Sequence, residues 1–81
     1  MKRYEIRWTQ LDPTVGSELA KTRQAVIVSL DTLNAALSTV VICPLTSALH
    51  PTWRTRLPVT VAGRSAEVAV DQIRTVSRSR M

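Results

Sequence analysis

The run Leu57-Pro58-Val59-Thr60-Val61, then Ala62-Gly63-Arg64, then Ala66-Glu67-Val68-Ala69-Val70 decides the fold class. The first five residues alternate as a strand does, the next three turn the chain, and the last five return it as a hairpin would. Working outward, Gln24 to Leu30, centred on Ala25-Val26-Ile27-Val28, reads as a buried strand, and Val40-Val41-Ile42-Cys43 as another. Pro44 has no amide hydrogen for a ladder and is expected to stop that second strand. Asp31 is expected to cap a short surface helix through Leu37, with Leu33 and Leu37 on one face and Asn34 turned away. Tyr4-Glu5-Ile6-Arg7-Trp8 alternates as a half-buried strand, and Asp12 to Ser17 opens a loop that runs through Thr22. Thr46 to Arg56 reads as a long polar loop, and Asp71 to Val76 either extends the hairpin or starts a further strand. Five short strands and one small helix predict a mainly β domain: an SH3-like barrel or strongly bent antiparallel sheet over residues 1–81.

Composition agrees with that reading. Of the 81 residues 44% are hydrophobic, yet there is no Phe, one Tyr and two Trp, so the core must come from Val, Ile, Leu and Ala, which favours strands. A domain this short buries a small share of its surface, so partner surface is expected to complete it. No apolar run approaches the roughly 20 residues of a membrane span, and Met1-Lys2-Arg3 leads into Tyr4-Glu5-Ile6-Arg7, not into a signal-peptide core. A cytoplasmic protein is expected. One cysteine, Cys43, and one histidine, His50, cannot supply a disulfide or a zinc cluster. Chemistry is therefore expected without a cofactor, and without a metal unless carboxylates and substrate alone hold one.

Eleven Lys and Arg against six Asp and Glu give a net charge of +5, which suits a polyanion. The distribution sharpens this: Arg54, Arg56, Arg64, Arg74, Arg78 and Arg80 crowd the second half, while four of the six acids precede residue 32. Guanidinium forks match phosphate geometry. Charge alone does not separate a nuclease from a passive binder.

Five segments carry a family resemblance. Leu11-Asp12-Pro13-Thr14-Val15-Gly16-Ser17-Glu18, Lys21-Thr22-Arg23, Ala25-Val26-Ile27-Val28-Ser29, Pro44-Leu45-Thr46-Ser47 and Asp71-Gln72-Ile73-Arg74-Thr75-Val76 resemble, in order, the motifs of MazF/PemK toxins. The resemblance implies the compact fold shared with CcdB proteins, a homodimer, sequence-selective cleavage of single-stranded RNA, commonly mRNA, and a cognate MazE-like antitoxin. Three departures stand out. Tyr4 occupies a position that is usually glycine, Arg23-Gln24 replaces the usual Arg-Pro, and the family's closing C-terminal helix has no counterpart before Met81, so a C-terminally shortened domain is expected.

RNA can be cut through its own 2′-hydroxyl if a site supplies a cation, a hydrogen-bond donor and an acid/base group together. Arg23, between a loop and a buried strand, is the candidate cation. Thr46 is the candidate donor, and its alternative role is turn chemistry. Glu18, at the spacing of a family glutamate, and Asp71, before Gln72-Ile73-Arg74, are the candidate acid/base groups. The competing role for Asp71 is an ion pair with Arg74. The histidine and arginine that some relatives place near these positions are Ser17 and Ala69 here, so no histidine mechanism carries over. Trp53 is the candidate base-stacking residue. Lys21, Ser47, Arg54, Arg56 and Arg74 are candidate RNA contacts. Two other readings stay open: a non-catalytic CcdB-like inhibitor of DNA gyrase, and an inactive basic RNA-binding remnant.

Overall fold

A computed structural model describes all residues, 1–81. Six strands, β1 (Ile6–Gln10), β2 (Thr22–Ile27), β3 (Thr39–Thr46), β4 (Arg56–Val61), β5 (Arg64–Ala69) and β6 (Arg74–Ser77), form one antiparallel sheet with a single helix, α1 (Asp31–Ala36). This is the mainly β, bent-sheet architecture expected, with one strand more. The extra strand is β6, which a 3₁₀ turn at Val70–Gln72 separates from β5.

The spine is β3, and its pairing explains the bend. On one side it pairs with β2 through Ile42↔Ile27, Cys43↔Val26 and Pro44↔Ala25. On the other, residues Thr39 to Ile42 pair with β6, whereas Leu45 and Thr46 pair with β5. Pro44 therefore does not end the strand, contrary to expectation. The Val28 N–H donates to the Val41 carbonyl, so odd-numbered residues of β3 turn their amides toward β2. Even-numbered ones face the other side. Pro44, lacking a donor, falls where β6 has ended and β5 has not begun, the one place where no ladder bond is forgone.

The sheet buries two apolar clusters on opposite faces. Leu11, Ala25, Ile27, Val40, Ile42 and Val76 form one, flanked by Met1, Leu19 and Met81. Cys43, Leu45 and Val68 form the other, flanked by Val26, Val28, Val59 and Val61. Each fully buried aliphatic side chain contributes about 1.5–3 kcal/mol. Burial also pushes the Cys43 thiol pKa up, with the Asp71 charge adding to it.

Helix α1 is oriented opposite to expectation. Asn34 is the buried residue, 1% exposed, while Leu30, Leu33 and Leu37 lie outward. Its carboxamide donates to the Ser29 carbonyl at 3.0 Å and meets the Ser29 hydroxyl, which accepts from Val41 N–H at 3.1 Å. That network ties the helix to β2 and β3 and outweighs the leucine pattern, since a buried amide must be satisfied. Asp31 is not the cap. Leu30 is, without a side-chain bond, and the Asp31 carboxylate accepts the Arg3 N–H at 2.6 Å.

Three non-glycine residues hold a left-handed backbone: Tyr4 at φ +70°, Lys21 at +67° and Ala62 at +52°. Tyr4 thus adopts the conformation for which glycine is the usual choice at its position. Ala62 and Gly63, φ +78°, make the two-residue turn between β4 and β5, where both central residues need positive φ.

Candidate active site

Carried two residues beyond its last pair, the β2/β3 register sets Arg23 opposite Thr46. Both line a groove of about 680 Å³ together with Lys21, Ser47, Trp8 and Gln24. The opposite wall is the β4–β5 hairpin, through Val61, Ala62, Arg64, Ser65 and Ala66. One wall therefore descends from β1 and β2, the other from the hairpin, and the end of β3 is the floor.

Arg23 is held by two backbone carbonyls, one on the loop before β2 and one on β3. Its Nε donates to the Ala20 carbonyl at 3.1 Å and its Nη1 to the Leu45 carbonyl at 3.4 Å. A guanidinium has five N–H donors, so most remain for an anion. Thr46 is buried, and its Oγ1 accepts the Ala48 N–H at 3.1 Å. That bond uses a lone pair and leaves the hydroxyl proton to be donated. Lys21 and Ser47 are exposed beside them.

The loop from Leu11 to Lys21 that delivers Arg23 is held from the far end of the chain. Gln72 Oε1 accepts the Leu19 N–H at 3.2 Å, Arg74 Nη2 donates to the Leu19 carbonyl at 3.0 Å, and Arg80 Nη1 donates to the Asp12 carbonyl at 2.6 Å. Arg74 is thus a clamp on this loop and does not line the groove.

Five further candidates also stand outside the groove lining: Glu18, Arg54, Trp53, Asp71 and Arg56. Glu18 is exposed on the loop, its carboxylate accepting the Val15 N–H at 2.6 Å. Arg54 is exposed on the β3–β4 loop. Trp53, 46% exposed, stacks on His50 with ring centroids 3.8 Å apart, and the Arg56 guanidinium sits 4.9 Å from its ring centre. Asp71 accepts from Arg56 Nε at 2.8 Å, not from Arg74. That hydrogen bond holds its carboxyl below the usual carboxylate range, so Asp71 is ionised and engaged.

Arg56 itself is corrected most sharply. Only 9% exposed, it lies between Asp71 and the buried Glu67, whose Oε1 is 3.7 Å from Nη1. Nη1 has no hydrogen-bond partner, so the contact to Glu67 is one of charge alone. Arg56 is a core cation and has no access to a phosphate. No group of three or more His, Cys, Asp or Glu side chains comes together to hold a metal ion.

The sequence reading missed Trp8, Gln24 and Arg64 as groove residues. Trp8 and Gln24 are cross-strand partners, and β alternation places Trp8, two residues from Ile6, on the outward face. Arg64 stands on the wall opposite Arg23, and no local pattern in the sequence marks it.

A sequence model of the PemK-like, MazF-like toxin of type II toxin-antitoxin systems matches residues 2–81. The chain belongs to this toxin family. A solved structure of MazF from Deinococcus radiodurans shares the fold, with a TM-score of 0.84 at 24% identity over 99% of this chain and 74% of that one. No curated protein sequence matches the chain. Membership of a type II toxin family implies an antitoxin partner. No helix of this PemK/MazF-family chain is long and apolar enough to cross a membrane.

Proposed function

We propose that this toxin-family chain is a sequence-selective endoribonuclease that cuts single-stranded RNA without a metal, leaving a 2′,3′-cyclic phosphate and a 5′-hydroxyl. The observation that carries the reading is that Arg23 and Thr46, distant in sequence, line one groove with free donors. The scissile phosphate sits against them: the guanidinium offsets charge on the non-bridging oxygens as phosphorus becomes pentavalent, and the Thr46 hydroxyl donates to one of them. Lys21 and Ser47 hold the neighbouring backbone. Glu18, outside the groove lining but on the loop that carries Lys21 into it and with a backbone amide as its carboxylate's only partner, is the proton acceptor for the 2′-hydroxyl. The 2′-oxygen attacks phosphorus, the bond to the 5′-oxygen breaks, and water supplies the proton that makes the 5′-hydroxyl. Asp71, committed to Arg56, is not assigned that role. The working form is a cytoplasmic homodimer neutralised by a MazE-like antitoxin.

The assay is cleavage of a short single-stranded RNA in EDTA by wild type, Arg23→Ala, Thr46→Val and Glu18→Gln. Loss of about two to three orders of magnitude in kcat is expected for Arg23→Ala. Equal cleavage by wild type and Arg23→Ala would overturn the assignment. One observation favours a second reading, RNA binding without turnover: no carboxylate or imidazole is among the groove-lining residues. RNA retained by wild type but left uncut would establish it.

A further inference from the structure

Phosphate contacts carry no sequence information; selectivity needs groups that meet the face and edge of a base. The groove holds one of each that phosphate chemistry does not use. Trp8 is 63% exposed, an indole on an edge strand that no core cluster claims. Gln24, its cross-strand partner, lines the groove with it, beside Arg23 and Thr46.

The register brings the two side chains close. The Ile27 N–H donates to the Glu5 carbonyl and the Leu11 N–H to the Lys21 carbonyl, so the hydrogen-bonded pairs of β1 and β2 are odd with odd. Trp8↔Gln24 is therefore a non-hydrogen-bonded pair, the kind in which side chains stand nearest each other on one face. An indole offers a flat apolar face. A carboxamide beside it offers two donors and an acceptor in one plane.

We infer that Trp8 and Gln24 form the base-reading subsite of this groove, the indole stacking on a nucleobase of single-stranded RNA while the carboxamide hydrogen-bonds its edge. The inference rests on the RNA-cleavage reading above. Trp53, the other indole, is already stacked on His50 and stands outside the groove. Gln24 occupies the position at which the resembling sequences carry proline, which has no edge-reading group. The selectivity supplied by Gln24 is thus a property of this chain, and its cut-site preference differs from that of proline-bearing relatives at the base that Trp8 stacks.

Two measurements test this. Cut sites of wild type, Trp8→Leu, Trp8→Phe, Gln24→Ala and Gln24→Pro are mapped in a random-sequence single-stranded RNA pool, with kcat and KM taken on one preferred oligonucleotide. Trp8→Leu raises KM about tenfold with kcat retained, and Trp8→Phe restores most of it. Gln24→Ala and Gln24→Pro erase the preference at one position beside the cut and leave the others intact. An unchanged cut-site profile and KM in all four variants overturns the inference while leaving the nuclease reading standing. The second measurement is Trp8 emission, in a Trp53→Phe background, titrated with short 2′-O-methyl oligonucleotides that cannot be cut and differ at one base. If wild type cuts nothing, quenching whose base dependence vanishes in Gln24→Ala still supports the subsite. Absence of quenching overturns it.

Discussion

Replacing Arg56 by alanine removes the cation from between two carboxylates and tests whether that residue is core or RNA contact. Its Nε lies 2.8 Å from Asp71 and its Nη1 3.7 Å from Glu67, with the Arg56 and Glu67 side chains 6% and 4% exposed. Without it, Glu67 keeps a buried charge met only by the His50 N–H, at 2.9 and 3.0 Å. Removing one partner of a buried pair costs about 3–5 kcal/mol. The lower end applies, because the Glu67 contact is not a hydrogen bond and Asp71 is 28% exposed, so water takes up part of the loss. About 3 kcal/mol lowers the Tm of a domain this small by roughly 12–24 °C. Urea and thermal unfolding measure it, beside exposed Arg54→Ala, which stays within about 0.5 kcal/mol of wild type. Adding Glu67→Gln to Arg56→Ala removes the stranded charge and recovers at least half the loss. Where Arg56→Ala is still folded, the salt dependence of RNA binding is unchanged, whereas a lost phosphate contact lowers the slope by about one. A Tm equal to that of Arg54→Ala, together with a shallower slope, would refute the core assignment.

Asn34→Ala strands the Ser29 hydroxyl and costs about 1–3 kcal/mol, while Leu33→Ala, on the outward face, is near neutral; thermal unfolding of the pair reads which side of the helix is buried. Acid stability follows Asp71. Its folded pKa is depressed, so its contribution is complete above the ordinary carboxylate value of about 3.9 and is lost as pH falls through the lower folded value. Asp71→Asn is therefore less stable at neutral pH and flatter between neutrality and acid, as urea midpoints across that range will record. Lys21→Gly relieves the left-handed backbone at φ +67° and gains about 1 kcal/mol, yet weakens RNA binding and flattens its salt slope; equal binding would remove Lys21 from the site.

The hairpin, the aliphatic strands and the order of elements were legible because alternation and turn chemistry are local. The pairings of β3 were not. Nothing in Val40 to Thr46 says that the strand changes neighbours midway, and so Pro44 read as a terminator when it marks the exchange. The helix misled for a related reason: leucine spacing records hydrophobicity, whereas its orientation was decided by the bonds of Asn34 to Ser29, whose hydroxyl in turn accepts from the Val41 N–H. Arg23 and Thr46 were nominated through motif resemblance, and the β2/β3 register, carried two residues on, sets them opposite each other. The arginines were ranked by charge, which does not distinguish exposed Arg54 from buried Arg56 two positions later, nor a loop clamp such as Arg74 from a phosphate ligand.

The exchange of neighbours along β3 leaves the hairpin attached to the rest of the sheet by two residue pairs, Leu45↔Val68 and Thr46↔Glu67. One lip of the cleft is consequently joined to the sheet by a narrow seam, whereas the lip bearing Arg23, on β2, is braced by three pairs to β3 and five more to β1. Strand β2 is thereby held by pairing on both sides, whereas the facing wall of the groove joins the ladder only at Leu45 and Thr46 and owes the rest of its hold to Val59 and Val61 packed on the Cys43, Leu45 and Val68 cluster.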